Sequence, residues 1–136
     1  MASFPRRPRL MAAVLALPVI VAGSSLAHAA PQDYRFEVVQ QSVKKGQIVA
    51  LDVRLVHVPS GKPVADAIVV QTRLDMSPEG MGDMAAKLAP QPSPAPGIYR
   101  FETKVEMEGD WALALAAKVP GEAETIRGTV PLKAAK

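Results

Sequence analysis

Beyond residue 33, apolar and polar residues alternate with a period of two along most of the chain, and long helical patterns are missing. Alternation of this kind turns one side of an extended segment toward a core and the other toward water, so it predicts antiparallel strands. Tyr34, Phe36 and Val38 alternate with Arg35 and Glu37. From Ile48 to Val58, residues Val49, Leu51, Val53 and Leu55 share a face opposite Asp52 and Arg54. A third strand sets Ile68, Val70, Thr72, Leu74 and Met76 against Val69, Gln71, Arg73 and Asp75. A short candidate strand follows from Met84 to Ala89, with Ala86 and Leu88 facing inward. Tyr99, Phe101, Thr103, Val105 and Met107 then share a face, as do Trp111, Leu113, Leu115, Ala117 and Val119, and Ile126, Val130 and Leu132 end the series.

Turn signals separate these runs: Lys44-Lys45-Gly46, Pro59 to Pro63, the proline-rich Pro90 to Gly97, Glu108-Gly109-Asp110, and Pro120-Gly121-Glu122. About seven short strands at regular spacing predict an all-β fold of two packed antiparallel sheets. Neither a repeat nor a domain linker interrupts the pattern.

Residues 1 to 29 follow a different logic. Arg6, Arg7 and Arg9 precede an apolar run from Leu10 to Ala22, and Ala27-His28-Ala29 has the small-x-small form of a cleavage site. The run is shorter than the roughly 20 residues a spanning helix needs, and Pro18 interrupts it. An export signal cut after Ala29 is the expectation, an uncleaved N-terminal anchor the alternative. Residues 30 to 136 then form one domain, with no stable membrane insertion after cleavage.

Removal of the leader changes the charge. Its three arginines account for the excess of the full chain, and what remains balances 13 Lys plus Arg against 13 Asp plus Glu. The basic precursor therefore gives no reason to expect nucleic acid as a partner, and no basic patch with interleaved aromatics is visible. Cysteine is absent, which excludes disulfides, thiolate metal sites and a cysteine nucleophile. Stability must come from packing.

Against this background the segment Leu74-Asp75-Met76-Ser77-Pro78-Glu79-Gly80-Met81-Gly82-Asp83-Met84 is out of character. Methionine ordinarily fills gaps in cores. Met81 lies between two glycines and Met84 follows Asp83, so no strand or helix period makes them one apolar face. Several thioethers close together in a loop suit a soft monovalent metal, Cu(I) or its surrogate Ag(I).

Counting strand passes adds a fourth sulfur. If the pass from Met84 to Ala89 exists, the chain returns along Ile98 to Val105 to the end where Met76 emerged, and Met107 and Trp111 arrive there too. Met76, Met81, Met84 and Met107 are thus candidate ligands at one pole, with Gly80 and Gly82 giving the loop freedom and Trp111 covering the ion. Edge-of-core packing is an equal alternative for Met76 and Met107, which are in phase with buried faces. A methionine-rich contact surface for a protein partner is a second alternative.

His57 ends the strand antiparallel to the one ending in Met76 and belongs at the opposite pole, as an edge-of-core histidine. Glu79 and Asp83 read as solvated loop charges rather than an acid/base pair. No Ser-His-Asp arrangement or phosphate-binding glycine loop is present, so nothing argues for an enzyme.

At these residues the chain resembles the FixH/YtkA-like family. The resemblance rests on Gly61-Lys62-Pro63-Val64-Ala65-Asp66-Ala67, on Asp75-Met76 with Gly80-Met81 and Met84, on Pro96-Gly97-Ile98-Tyr99-Arg100-Phe101, and on Met107-Glu108-Gly109-Asp110-Trp111. It implies an immunoglobulin-like periplasmic domain associated with copper handling, alongside heavy-metal efflux or oxidase-assembly components. FixH proteins proper are membrane anchored, whereas this chain shows a removable signal.

Overall fold

The computed structural model describes residues 31–136, so the leader read over residues 1 to 29 lies outside the described part. In chain order the strands are β1 Tyr34–Val38, β2 Ser42–Lys44, β3 Ile48–His57, β4 Lys62–Pro63, β5 Ile68–Met76, β6 Met81–Ala86, β7 Leu88–Gln91, β8 Ile98–Lys104, β9 Gly109–Lys118 and β10 Ile126–Ala135. Short 3-10 turns occupy Pro31–Asp33 and Ser77–Glu79. One sheet runs β1-β3-β8-β7 with β4 on β3; the other runs β2-β10-β9-β5-β6. Every pair is antiparallel except β2 with β10. The protein is a β-sandwich of two packed sheets, as the alternation predicts, with the immunoglobulin-like strand order that the resemblance implies.

Alternation became packing where the ladder is regular. Leu51, Val53 and Leu55 of β3, Phe101 of β8, and Trp111, Leu113, Leu115 and Ala117 of β9 face one another between the sheets. Asp52, expected on the solvent face, is nonetheless buried. The Arg100 guanidinium across the ladder covers it with two bonds, Nε to Oδ1 at 2.7 Å and Nη2 to Oδ2 at 2.8 Å.

Four local departures have physical causes. In β5 the register with β9 slips between Val69 and Gln71, a bulge that reverses the side-chain phase. Leu74 and Met76 keep the expected inward phase, but Ile68 and Val70 face outward and Val69 packs against the core instead. The short strand expected over Met84 to Ala89 is one pass divided between sheets: β6 pairs with β5, the chain crosses at Lys87, and β7 pairs with β8. Ala86 and Leu88 both pack on the core as expected. Pro90, expected in an exposed connection, sits within β7, which tolerates it because β7 is an edge strand. Fourth, Ser42–Lys44 forms β2 beside the end of β10 and buries Val43, a strand the alternation does not announce, while the expected turn closes just after it at Lys45-Gly46.

The passes fix the poles. β5 rises to Met76, the β6–β7 pass falls, and β8 rises again, so residues 105–108 and the start of β9 return to the end reached by Met76. Ile48, opposite Lys104 in the ladder, opens β3 at this same pole. His57 lies at the other pole, opposite Tyr34.

Candidate metal centre

The methionine segment is held more firmly than its glycines imply. At the end of β5, Asp75 Oδ1 accepts the Ser77 N–H at 3.0 Å and Oδ2 accepts Arg73 Nε at 2.6 Å. Hydrogen bonding from the Ser77 side chain, opposed by burial and aided by the Ser77 backbone and Arg73, holds the Asp75 carboxyl below the usual carboxylate range. This acceptor closes the turn Ser77–Glu79, which ends on Gly80 in the left-handed region, φ 71°.

Met81 then starts β6 directly opposite Met76. Beyond it the register jumps: Met76 faces Met81 while Asp75 faces Ala85, so Gly82, Asp83 and Met84 arch out of the ladder. Arg73 Nη2 donates to the Gly82 carbonyl at 2.6 Å and fastens this arch back to β5.

A second tie joins the segment to the start of β9. Glu79 Oε1 accepts the Asp110 N–H at 2.9 Å. Gly109, at φ 131°, lies under both: a Cβ built there would come 3.0 Å from Glu79 Oε1 and 3.1 Å from Met76 Cε. Two residues earlier, the Met107 carbonyl accepts Trp111 Nε1–H at 3.1 Å. Glu79 is therefore a strut between two turns, not the free loop charge expected from the sequence.

Burial divides the four methionines. Met76 is 1% exposed and belongs to the core, whereas Met81, Met84 and Met107 are 37%, 42% and 38% exposed. The packing expected as an alternative for Met76 is its observed state, and the same alternative fails for Met107. Trp111 is buried and its N–H is committed to the Met107 carbonyl.

His57 is distant from this pole, as expected. Its Nδ1 lies 2.7 Å from Ser60 Oγ and its ring 5.2 Å from that of Tyr34. Tyr34 donates to Glu122 at 2.9 Å, and burial, with that carboxylate's help, pushes its hydroxyl pKa up to about 12. Among the described residues no three His, Asp or Glu side chains are grouped to hold a metal ion. The soft donors of the methionine pole are a separate matter.

Of the groups that hold the two turns, Asp75 and Glu79 differ in what the sequence shows of them. Asp75 two residues before Ser77-Pro78 carries a recognisable Asx-turn signal. Glu79 carries none, because its partner is a backbone N–H on a distant turn.

A family model described as YtkA-like matches residues 28–116, which include all four methionines and both ties. The chain belongs to the YtkA-like family. No curated protein matches this YtkA-like chain. Among solved structures, it is similar to the Lin-41 filamin domain at 14% identity, with 80% of this chain and 98% of that one covered and a TM-score of 0.48. It is also similar to the ZirS C-terminal domain at 11% identity, with 100% and 88% covered and a TM-score of 0.45.

Proposed function

We propose that this YtkA-like domain is an exported, periplasmic Cu(I)-binding protein, a chaperone or buffer, that takes the ion at its methionine pole. The observation that supports the reading is the exposure of Met81, Met84 and Met107, on segments at the pole where β5 ends in a buried Met76. Sulfurs that fill a core need no further explanation; thioethers left in water beside a fixed turn do. Cu(I) is satisfied by about two to four soft ligands and makes weak geometric demands, so the donor set fits its chemistry.

Each residue has a part. Met81, Met84 and Met107 are the exposed donors, and Met76, buried at the end of β5, is the last of the four to join. Asp75, Arg73 and Glu79 hold the two turns so that the sulfurs need not be ordered at the moment of binding. Thioethers have no proton to lose, so binding persists at mildly acidic pH, where a histidine site weakens.

Cu(I) competition titration of the chain with Met81 and Met84 both changed to Leu tests the reading. Leucine keeps the bulk and removes the sulfur; affinity should drop, and unchanged affinity eliminates the ligand set. Mass spectrometry after Ag(I) loading reads the stoichiometry directly.

One observation favours a second reading, a metal-free module that docks on an efflux or oxidase-assembly component. Ile48, 68% exposed, adds an apolar side chain to the same pole. On that reading the Leu variants change nothing in metal titrations, and Met81→Asp abolishes co-purification with the partner.

A further inference from the structure

The methionine pole also differs from the core in what oxidants can reach. A methionine sulfur is attacked through its lone pair, and susceptibility follows exposure. Met81, Met84 and Met107 are each more than one-third exposed, while Met76 is 1% exposed with its methyl against Gly109 beneath the Glu79 strut. These four are the only methionines beyond the leader.

We propose that Met81, Met84 and Met107 are a peroxide-modified site, whose conversion to sulfoxides shuts off soft-metal binding while the fold stands on an intact Met76. The metal half of this inference rests on the function proposed above. In the modification the sulfur lone pair attacks one oxygen of hydrogen peroxide. A sulfur–oxygen bond forms, the oxygen–oxygen bond breaks, and the departing hydroxide takes the remaining proton and leaves as water. Sulfur gives up two electrons and the peroxide accepts them. The product presents a hard, polar oxygen where a soft donor stood, so Cu(I) or Ag(I) loses its ligand. At the three exposed positions that oxygen points into water and leaves the packing alone. At Met76 it would be a polar atom without a partner inside the core, a costly change.

Ag(I), which is redox-inert toward peroxide, keeps the two halves of the test separate. The chain is treated with hydrogen peroxide, and oxygen uptake is mapped residue by residue by peptide mass spectrometry, followed by Ag(I) titration and thermal unfolding. The expected result is one oxygen on each of Met81, Met84 and Met107, with Met76 modified roughly tenfold more slowly. Loss of Ag(I) binding at an unchanged thermal midpoint completes the expectation. Ag(I) loaded beforehand should slow uptake at the same three residues, because the lone pairs are occupied. The variant with all three changed to Leu should take up oxygen at Met76 no faster than the unaltered chain does.

Uptake at Met76 in step with the others overturns the modified site and leaves the metal reading standing. The expected oxygen map with undiminished Ag(I) binding overturns the shut-off and the thioether reading together.

Discussion

Glu79 reaches across to the backbone of Asp110 and accepts its N–H at 2.9 Å, joining the turn after β5 to the first residues of β9. The bond is long-range in sequence, so it orders two turns with one contact. Removing it with Glu79→Ala should cost about 1 kcal/mol, the typical net value of one hydrogen bond, read as a lower urea midpoint at unchanged slope. On the proposed function Ag(I) affinity should fall as well, through the position of the two turns. Glu79→Gln, which keeps an acceptor oxygen, should restore most of both.

Gly109 beneath that strut should resist substitution. Its φ of 131° is a region that L side chains rarely enter, and the added carbon of alanine meets Glu79 Oε1 and the Met76 methyl at 3.0 and 3.1 Å. Gly109→Ala should therefore destabilise by about 1–3 kcal/mol, from backbone conformation alone or with the strut displaced. The thermal midpoint measures the loss.

Met76 should behave as a core residue in stability assays. Met76→Leu conserves volume and should cost less than about 1.5 kcal/mol, while Met76→Ala opens a cavity and should cost about 2–5 kcal/mol. In Ag(I) titrations Met76→Leu should weaken binding less than Met81→Leu. An equal or larger effect at Met76 would mean that the buried sulfur turns outward to the ion.

Acid should weaken the fold through two carboxylates. The side-chain bond from Arg100, outweighing burial, lowers the Asp52 pKa, and hydrogen bonding from Ser77 lowers that of Asp75. A carboxyl whose pKa is depressed in the folded state stabilises above its unfolded pKa and loses that contribution as pH falls through the folded one. Stability should thus be flat near neutrality and decline as pH drops below about 4, the ordinary carboxylate range. Denaturant midpoints measured across this range check the slope. Asp52→Asn should flatten it, at the expense of stability at pH 7, where the Arg100 guanidinium loses its paired charge.

Much of the fold was legible because alternation is a direct image of a two-faced strand. β3, β8 and β9 were read with the correct residues inward, and the pass count that returned Met107 to the pole of Met76 agrees with the observed topology. What escaped reading was long-range. The bulge at Val70 reversed the face of Ile68, and nothing in Ile-Val-Val announces it. β2 is three residues of ordinary polarity that become a strand only because β10 lies alongside. At the pole, the sulfurs were visible as out-of-pattern methionines. Glu79, by contrast, looks like any surface glutamate until β9 supplies its donor.

Pro90 has a consequence outside the pole. It sits in β7, the rim of its sheet, where an open row of amides would invite a neighbouring molecule to add a strand. The pyrrolidine ring leaves that rim one amide short, so two copies meeting there find an interrupted ladder. The proline that reads as a turn signal in the sequence thereby makes this rim a poorer template for a further strand.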